Sequence, residues 1–245
     1  MKAAAGNFPA AYLLEASMNS SLSPRLLTCC KFIAPGDRVA DVGTDHGYLG
    51  IWLLQQGIAG SVIASDIVPG PLSAAERNVE KYGFTQKMKC YLSDGVQSIP
   101  RDFDVLVCAG MGGDTIISIL GAAHWLKDSR YRLVLQCQSK APLLRRYITD
   151  RGWRIAEETV VRDGRFLYTV MDVRWDPGHP LTVGQWYFPP ALLENPTPET
   201  GEYYRRVTDN LRKAIAGQKD KAPKEYTDAL AELENDPALQ QLKYD

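Results

Sequence analysis

The chain has 245 residues, 23% of them charged, with a formal net charge of −1. That length holds one large domain or one domain with an appendage, and the near-zero charge excludes a polycation that grips nucleic acid over its whole surface. No stretch reaches the roughly 18 apolar residues of a membrane span, and Met1 to Gly6 is small and polar, unlike a signal peptide. The five cysteines, Cys29, Cys30, Cys90, Cys108 and Cys137, form no C-x-x-C pair and no zinc spacing. They read as reduced thiols of a cytoplasmic protein, and no metal or membrane is expected among the partners.

Residues 1–20 read as disordered or as a partly helical extension. Ser23-Pro24 starts a helix, with serine at the cap and proline in the first turn, and Pro35-Gly36 stops it. A strand over Arg38–Val42 feeds a glycine turn and then an apolar helix from Tyr48 to Gly57. Ser61–Ser65 is the second strand, ending at Asp66, and a helix follows over about 71–81. The third strand spans Met88–Leu92, just before Asp94-Gly95. The fourth spans Phe103–Cys108 and runs into Ala109-Gly110-Met111-Gly112-Gly113, with a helix from Asp114 or Thr115 to Trp125. Strand five is Arg132–Gln136, with a helix over about 141–151. Two last strands, about 154–161 and 166–173, flank the hairpin signal Asp163-Gly164. Alternating strands and helices predict an α/β fold with a Rossmann-like, mostly parallel seven-stranded sheet, its last strand antiparallel.

Prolines crowd residues 175–198, which read as a linker. Beyond them, Tyr204, Val207, Leu211 and Ile215, then Tyr226, Leu230 and Leu233, predict two amphipathic helices folded back on each other. Residues 203–224 carry seven basic side chains against two acidic, and 225–237 five acidic and no basic. These opposite charges either pair the helices or leave the basic one facing a phosphate backbone. The expected organisation is therefore a domain over 1–174, a linker over 175–198 and a helical unit over 199–245.

In a parallel sheet ligands bind beyond the carboxyl ends of the strands. Asp41 to Gly47, Asp66, Asp94 and Gly110 to Gly113 all fall there. A carboxylate ending strand two accepts hydrogen bonds from ribose hydroxyls, which is the place of Asp66; its plain alternative is a helix cap. Asp94 is placed to accept from an adenine amino group, or is an ordinary Asp-Gly turn. Asp45-His46 stands between Gly43 and Gly47, where a carboxylate repels a pyrophosphate but pairs with an ammonium. S-adenosylmethionine meets these demands better than a dinucleotide. Gly110 to Gly113 leave room for a planar acceptor, or are small only for helix packing.

Asp41-Val-Gly-Thr-Asp-His-Gly-Tyr-Leu, Ser65-Asp66 with Gly70-Pro71-Leu72, Ser93-Asp94-Gly95 and Ala109-Gly-Met-Gly-Gly resemble the bacterial TrmK family. The resemblance runs from about Ser21 to Val173, and the helical tail resembles the family's in type only. It implies an S-adenosylmethionine-dependent methyltransferase acting on N1 of adenosine 22 of tRNA. The cofactor set becomes Asp41, Gly43, Thr44, Asp45, His46, Gly47, Tyr48, Asp66, Ile67, Asp94, Gly95, Ala109 and Gly110. Gly110, Met111, Gly112 and Gln138 become the candidates at the reacting base. The family has Leu-Gln-Pro-Asn after strand five, whereas this chain has Leu135-Gln136-Cys137-Gln138, so Gln138 replaces the asparagine or the target differs.

Adenine N1 carries a lone pair and no proton, so the transfer needs alignment rather than a general base. Arg25, Lys31, Arg145, Arg146, Arg205, Arg206, Arg212 and Lys213 are the candidate RNA contacts, through phosphates. The competing readings are a methyltransferase for another RNA or a small molecule, and a cofactor-binding protein without turnover.

Overall fold

The computed structural model describes residues 22–218 and 221–243, so the expectation for residues 1–20 lies outside the described residues. In chain order the elements are α1 (Pro24–Cys30), β1 (Arg38–Val42), α2 (Tyr48–Gln55), β2 (Ser61–Asp66), α3 (Pro69–Lys81), β3 (Met88–Leu92), β4 (Val105–Gly112), α4 (Gly113–Ala122), β5 (Arg132–Ser139), α5 (Ala141–Asp150), β6 (Trp153–Asp163) and β7 (Phe166–Trp175). The tail adds α6 (Val183–Tyr187), α7 (Ala191–Glu194), α8 (Thr200–Gln218), α9 (Lys224–Asn235) and α10 (Pro237–Gln240).

The sheet has seven strands in the order β3-β2-β1-β4-β5-β7-β6. Its first five strands are parallel, and β7 runs antiparallel between β5 and β6. Side chains alternate between two cores, as the period of a strand requires. Val39, Val105 and Val107 face one, with Phe32, Ile33 and the apolar side of α2. Ala40, Leu106 and Cys108 face the other, with Ile116, Leu120, Leu144 and Ile148. Gly50 lets α2 lie against the sheet: a Cβ there would come within 2.7 Å of Val62.

Several boundaries differ from the sequence expectation. Strand four extends to Gly112 and strand five to Ser139, because Met111 pairs with Cys137 and Gly112 with Ser139 across register shifts at Gly110 and Gln138. The glycine segment is thus a bulged strand end, and α4 begins at Gly113. The helix expected to reach Trp125 stops at Ala122 and gives way to a 3-10 turn over His124–Leu126. Residues 175–198 are more than a linker, since α6 and α7 form within them, α6 behind a Thr182/Gln185 capping box.

The tail folds around a third core of Phe188, Leu192, Tyr204, Leu211, Ala229 and Leu233, which takes in Val160 of β6. A buried side chain anchors it to the sheet. Arg145 of α5, 0% exposed, pairs with Glu158 of β6 at 2.7 Å. It also donates to the carbonyls of Trp186 and Tyr187 at 2.9 and 3.1 Å and to the Tyr203 hydroxyl at 3.1 Å.

Candidate active site

The site is built from strand ends. β1 delivers Asp41, and the chain turns at Gly43, whose φ of +74° suits glycine. The N–H groups of Gly43 and Thr44 donate to the Ser65 carbonyl at 2.8 and 2.9 Å, which ties the turn to β2. Thr44 donates its hydroxyl to the Asp41 carboxylate at 2.7 Å, and both side chains are buried. These two therefore brace the turn from beneath. Burial pushes the Asp41 carboxyl up to about 6; the Thr44 hydrogen bond opposes the shift, and the charges of Asp66 and Asp45 add to it.

Asp45 and His46 stand out from the turn, the Asp45 side chain 82% exposed and His46 Nε2 3.3 Å from its carboxylate. His46 has a φ of +57° and is held by Asn78, which donates to its carbonyl at 2.9 Å. Its ring stacks on Tyr48 at 5.8 Å. Gly47 caps α2 in the left-handed conformation, and a Cβ there would press on Ala75 and Met88, both at 3.2 Å.

β2 and β3 contribute the next two carboxylates. Asp66 accepts the Val68 N–H at 2.8 Å through Oδ1, so the turn uses one oxygen; no bond is made to Oδ2 among the described residues. Ile67 beside it is 63% exposed. Asp94 accepts from Gln97 at 3.0 Å, and Gly95 packs tightly under Ile119. Neither Asp66 nor Asp94 has an ion-pair partner among the described residues.

The bulge at the end of β4 closes the other side. Gly110 has a φ of +79°, and its N–H donates to the Gln136 side chain at 3.0 Å. Gln136 is 0% exposed, and its own amide donates to the Cys137 carbonyl at 3.0 Å. Arg25 reaches the same Gln136 oxygen at 3.4 Å and pairs with Asp163 at 3.2 Å. A Cβ on Gly110 would lie 3.1 Å from the Arg25 guanidinium and 3.8 Å from the Gln138 amide. Gly110, Gln138 and Arg25 thus meet at one point. Met111 leans across toward the turn, where a Cβ on Gly43 would collide with its methyl. Gly112 lies against Ser139, 3.4 Å from where its Cβ would be.

Sequence reasoning left out Gln136, whose signal was present: a polar residue inside the apolar run Arg132–Cys137. It also left out Asp163 as the partner of Arg25.

The candidate RNA contacts differ in burial and in partners. Arg145 is corrected outright: it is sealed in the joint between sheet and tail and reaches no solvent. Arg25 lines the site mouth, beside Gly110. Arg212 pairs with Glu234 of α9 at 2.6 Å, and Arg205 donates to the Leu242 carbonyl at 3.2 Å, so part of the charge on α8 holds the helices together. Arg206 pairs with Glu202 at 2.7 Å. Lys31, Arg146 and Lys213 are exposed. Among the described residues no group of three or more His, Cys, Asp or Glu could hold a metal, and no helix is long and apolar enough to cross a membrane.

Comparison with known proteins agrees with this geometry. The family model described as a methyltransferase domain matches residues 22–171. The tRNA (adenine(22)-N(1))-methyltransferase of Bacillus subtilis is 32% identical over 151 residues, 61% of this chain and 63% of that protein. The chain thus spans less than two thirds of the curated relatives it matches. Among solved structures, Streptococcus pneumoniae Sp1610 in complex with S-adenosyl-L-methionine aligns over 89% of this chain and 97% of its own, at 27% identity and a TM-score of 0.74. TrmK of M. capricolum in complex with S-adenosyl-homocysteine aligns over 86% and 94%, at 25% identity and a TM-score of 0.72. The chain belongs to the methyltransferase-domain family.

Proposed function

We propose that this protein is an S-adenosylmethionine-dependent methyltransferase that modifies N1 of adenosine 22 of tRNA. The observation that carries the reading is the meeting, at the carboxyl edge of one sheet, of a left-handed glycine turn, carboxylates without cationic partners and a bulged glycine strand end held by a buried glutamine.

The residues present fit the cofactor. Asp66 keeps Oδ2 for ribose hydroxyls, Asp94 stands one strand further for the adenine amino group, and exposed Ile67 offers the ring an apolar face. Gly43, Gly47 and Gly95 keep the backbone close, and Asp45, exposed beside His46, offers its carboxylate to an ammonium. Tyr48 and His46 flank it. Bound S-adenosylmethionine supplies an electrophilic methyl group on a sulfonium.

The chain's own residues supply placement. Gln136 fixes the Gly110 N–H, and so sets the carbonyls from Ala109 to Gly112 in rigid positions around the acceptor. Most of the rate comes from holding the acceptor in line, since adenine N1 offers its lone pair directly. Backbone carbonyls and Asp45 stabilise the positive charge that develops on the base. Gln138, beside Gly110, is the candidate for holding the flipped base. Residues 1–174 form the methyltransferase domain on this reading, 175–198 the connector and 199–245 the helical unit that meets the RNA through Arg206 and Lys213. Lys31 and Arg146 are further candidate phosphate contacts. The protein works in the cytoplasm, where its thiols stay reduced.

The test is incubation with methyl-labelled S-adenosylmethionine and two tRNAs, one unmodified and one with adenosine 22 replaced. Label in the first alone is the expected outcome. Label in both moves the target elsewhere on the RNA, and label in neither, with cofactor binding seen by calorimetry, removes the RNA.

A further inference from the structure

We propose that the tip of the β6–β7 hairpin is a stacking platform for an unpaired nucleobase of the RNA, with Phe166 as its face. The inference rests on the RNA reading above and adds a contact that reading does not contain.

The sheet register places the tip. Leu135 of β5 pairs with Met171 of β7, and β7 runs antiparallel, so its first residues rise at the edge where β4 and β5 end. Phe166 therefore sits beside the active-site mouth. The same register decides which face it is on. Asp163 pairs with Phe166 and Val161 with Tyr168, so these four share one face. Arg162 and Leu167 take the other, where Arg162 pairs with Glu202 of α8 and Leu167 packs on the tail core. Val161 packs on the core beneath α1, and Asp163 pairs with Arg25, whose guanidinium touches the Gly110 locus.

The tip is aromatic and half exposed. Phe166 is 49% exposed, its ring 6.1 Å from Tyr168, and the Arg165 guanidinium lies 4.9 Å from its centre. An exposed ring beside a guanidinium is the surface on which a base stacks without regard to its sequence. The tip is also held before any ligand arrives. Arg25 pins Asp163 on one side, and Arg206 donates to the Arg165 carbonyl at 3.3 Å on the other. A preorganised platform loses little freedom on binding. The Arg165 guanidinium beside the ring has no ion-pair partner among the described residues, which leaves its charge for the phosphate of a stacked nucleotide.

The experiment uses the full chain with Phe166→Ala, Phe166→Leu and Phe166→Trp, and tRNA carrying 2-aminopurine in turn at each nucleotide flanking the methylated position. The alanine and leucine variants are expected to raise KM for tRNA about tenfold, with cofactor affinity and melting temperature held. Tryptophan is expected to restore KM. One flanking 2-aminopurine changes fluorescence on binding wild type and not on binding the alanine variant. A leucine variant with wild-type KM overturns the proposal, because apolar bulk then suffices. So does an alanine variant with unchanged KM, or a wild-type complex in which no flanking base responds. Wild type that methylates adenosine 22 while F166A behaves identically defeats the platform alone, whereas wild type that labels no RNA defeats the function reading with it.

Discussion

The joint around Arg145 and the carboxyl edge of the sheet are both rich in charge and treat it in opposite ways. At the joint the guanidinium is dry and answered on every side, by Glu158, two carbonyls and the Tyr203 hydroxyl. At the edge, Asp66 and Asp94 stand in partial solvent with no cation bound to either among the described residues. Charge that has been matched holds a fold together; charge left unmatched at the end of a strand is there to meet something else. Asp41 lies between the two cases, buried like the joint yet answered by the neutral hydroxyl of Thr44.

The comparison breaks first at the joint. Arg145→Ala strands Glu158 without a cation and is expected to cost about 3–5 kcal/mol in denaturant unfolding. Replacing Arg145 and Glu158 together by apolar residues of similar volume is expected to recover most of that loss. If the single variant is as stable as wild type, the joint does not hold the tail.

Asp41 sharpens the middle case through pH. Its folded-state carboxyl sits at about 6, above the ordinary 3.8, so the folded protein holds this proton more tightly than the unfolded chain. The stability it contributes is fully present below 3.8 and is lost as pH rises through 6. Asp41→Asn removes that loss. The variant's stability relative to wild type is expected to grow between pH 4 and 7, by on the order of 2–3 kcal/mol, and thermal melts across that range read it. A difference that stays flat with pH means the carboxyl is not shifted.

The smallest effect belongs at the edge. Asp66→Ala is expected to leave the unliganded melting temperature within a degree or two, as for a surface substitution of up to about 0.5 kcal/mol. The same change is expected to weaken S-adenosylmethionine binding roughly 10- to 100-fold, the worth of hydrogen bonds to a charged group. Calorimetry on the variant separates the two. A large loss of stability with little loss of affinity would return Asp66 to a cap of the turn that follows β2.

Local signals carried most of the fold and one half of the site. The glycine turn, Asp66 and Asp94 were legible because each sits where an apolar run ends, and a parallel sheet sends all such ends to one edge. What was hidden depends on partners distant in the chain. Gly110 to Gly113 read as a loop because a bulge is set by the neighbouring strand, and only the pairing of Met111 with Cys137 draws residues 109–112 and 137–139 into the sheet. Arg145 read as a surface cation because a basic residue on an amphipathic helix normally is one, while its burial is decided by β6 and by a tail more than forty residues away. Prolines masked α6, although Thr182 and Gln185 carried the spacing of a capping box.

The order of the last two strands bears on how the protein is made. β6 leaves the ribosome before β7, yet β7 lies between β5 and β6. Until residues 166–175 emerge, β5 keeps an open hydrogen-bonding edge and β6 has no neighbour in the sheet. Both are exposed strand edges of the kind that recruit other chains. A nascent chain stalled before Trp175 therefore lacks more than its tail. It lacks the strand that closes the sheet, and degradation or aggregation is the expected fate of such a fragment.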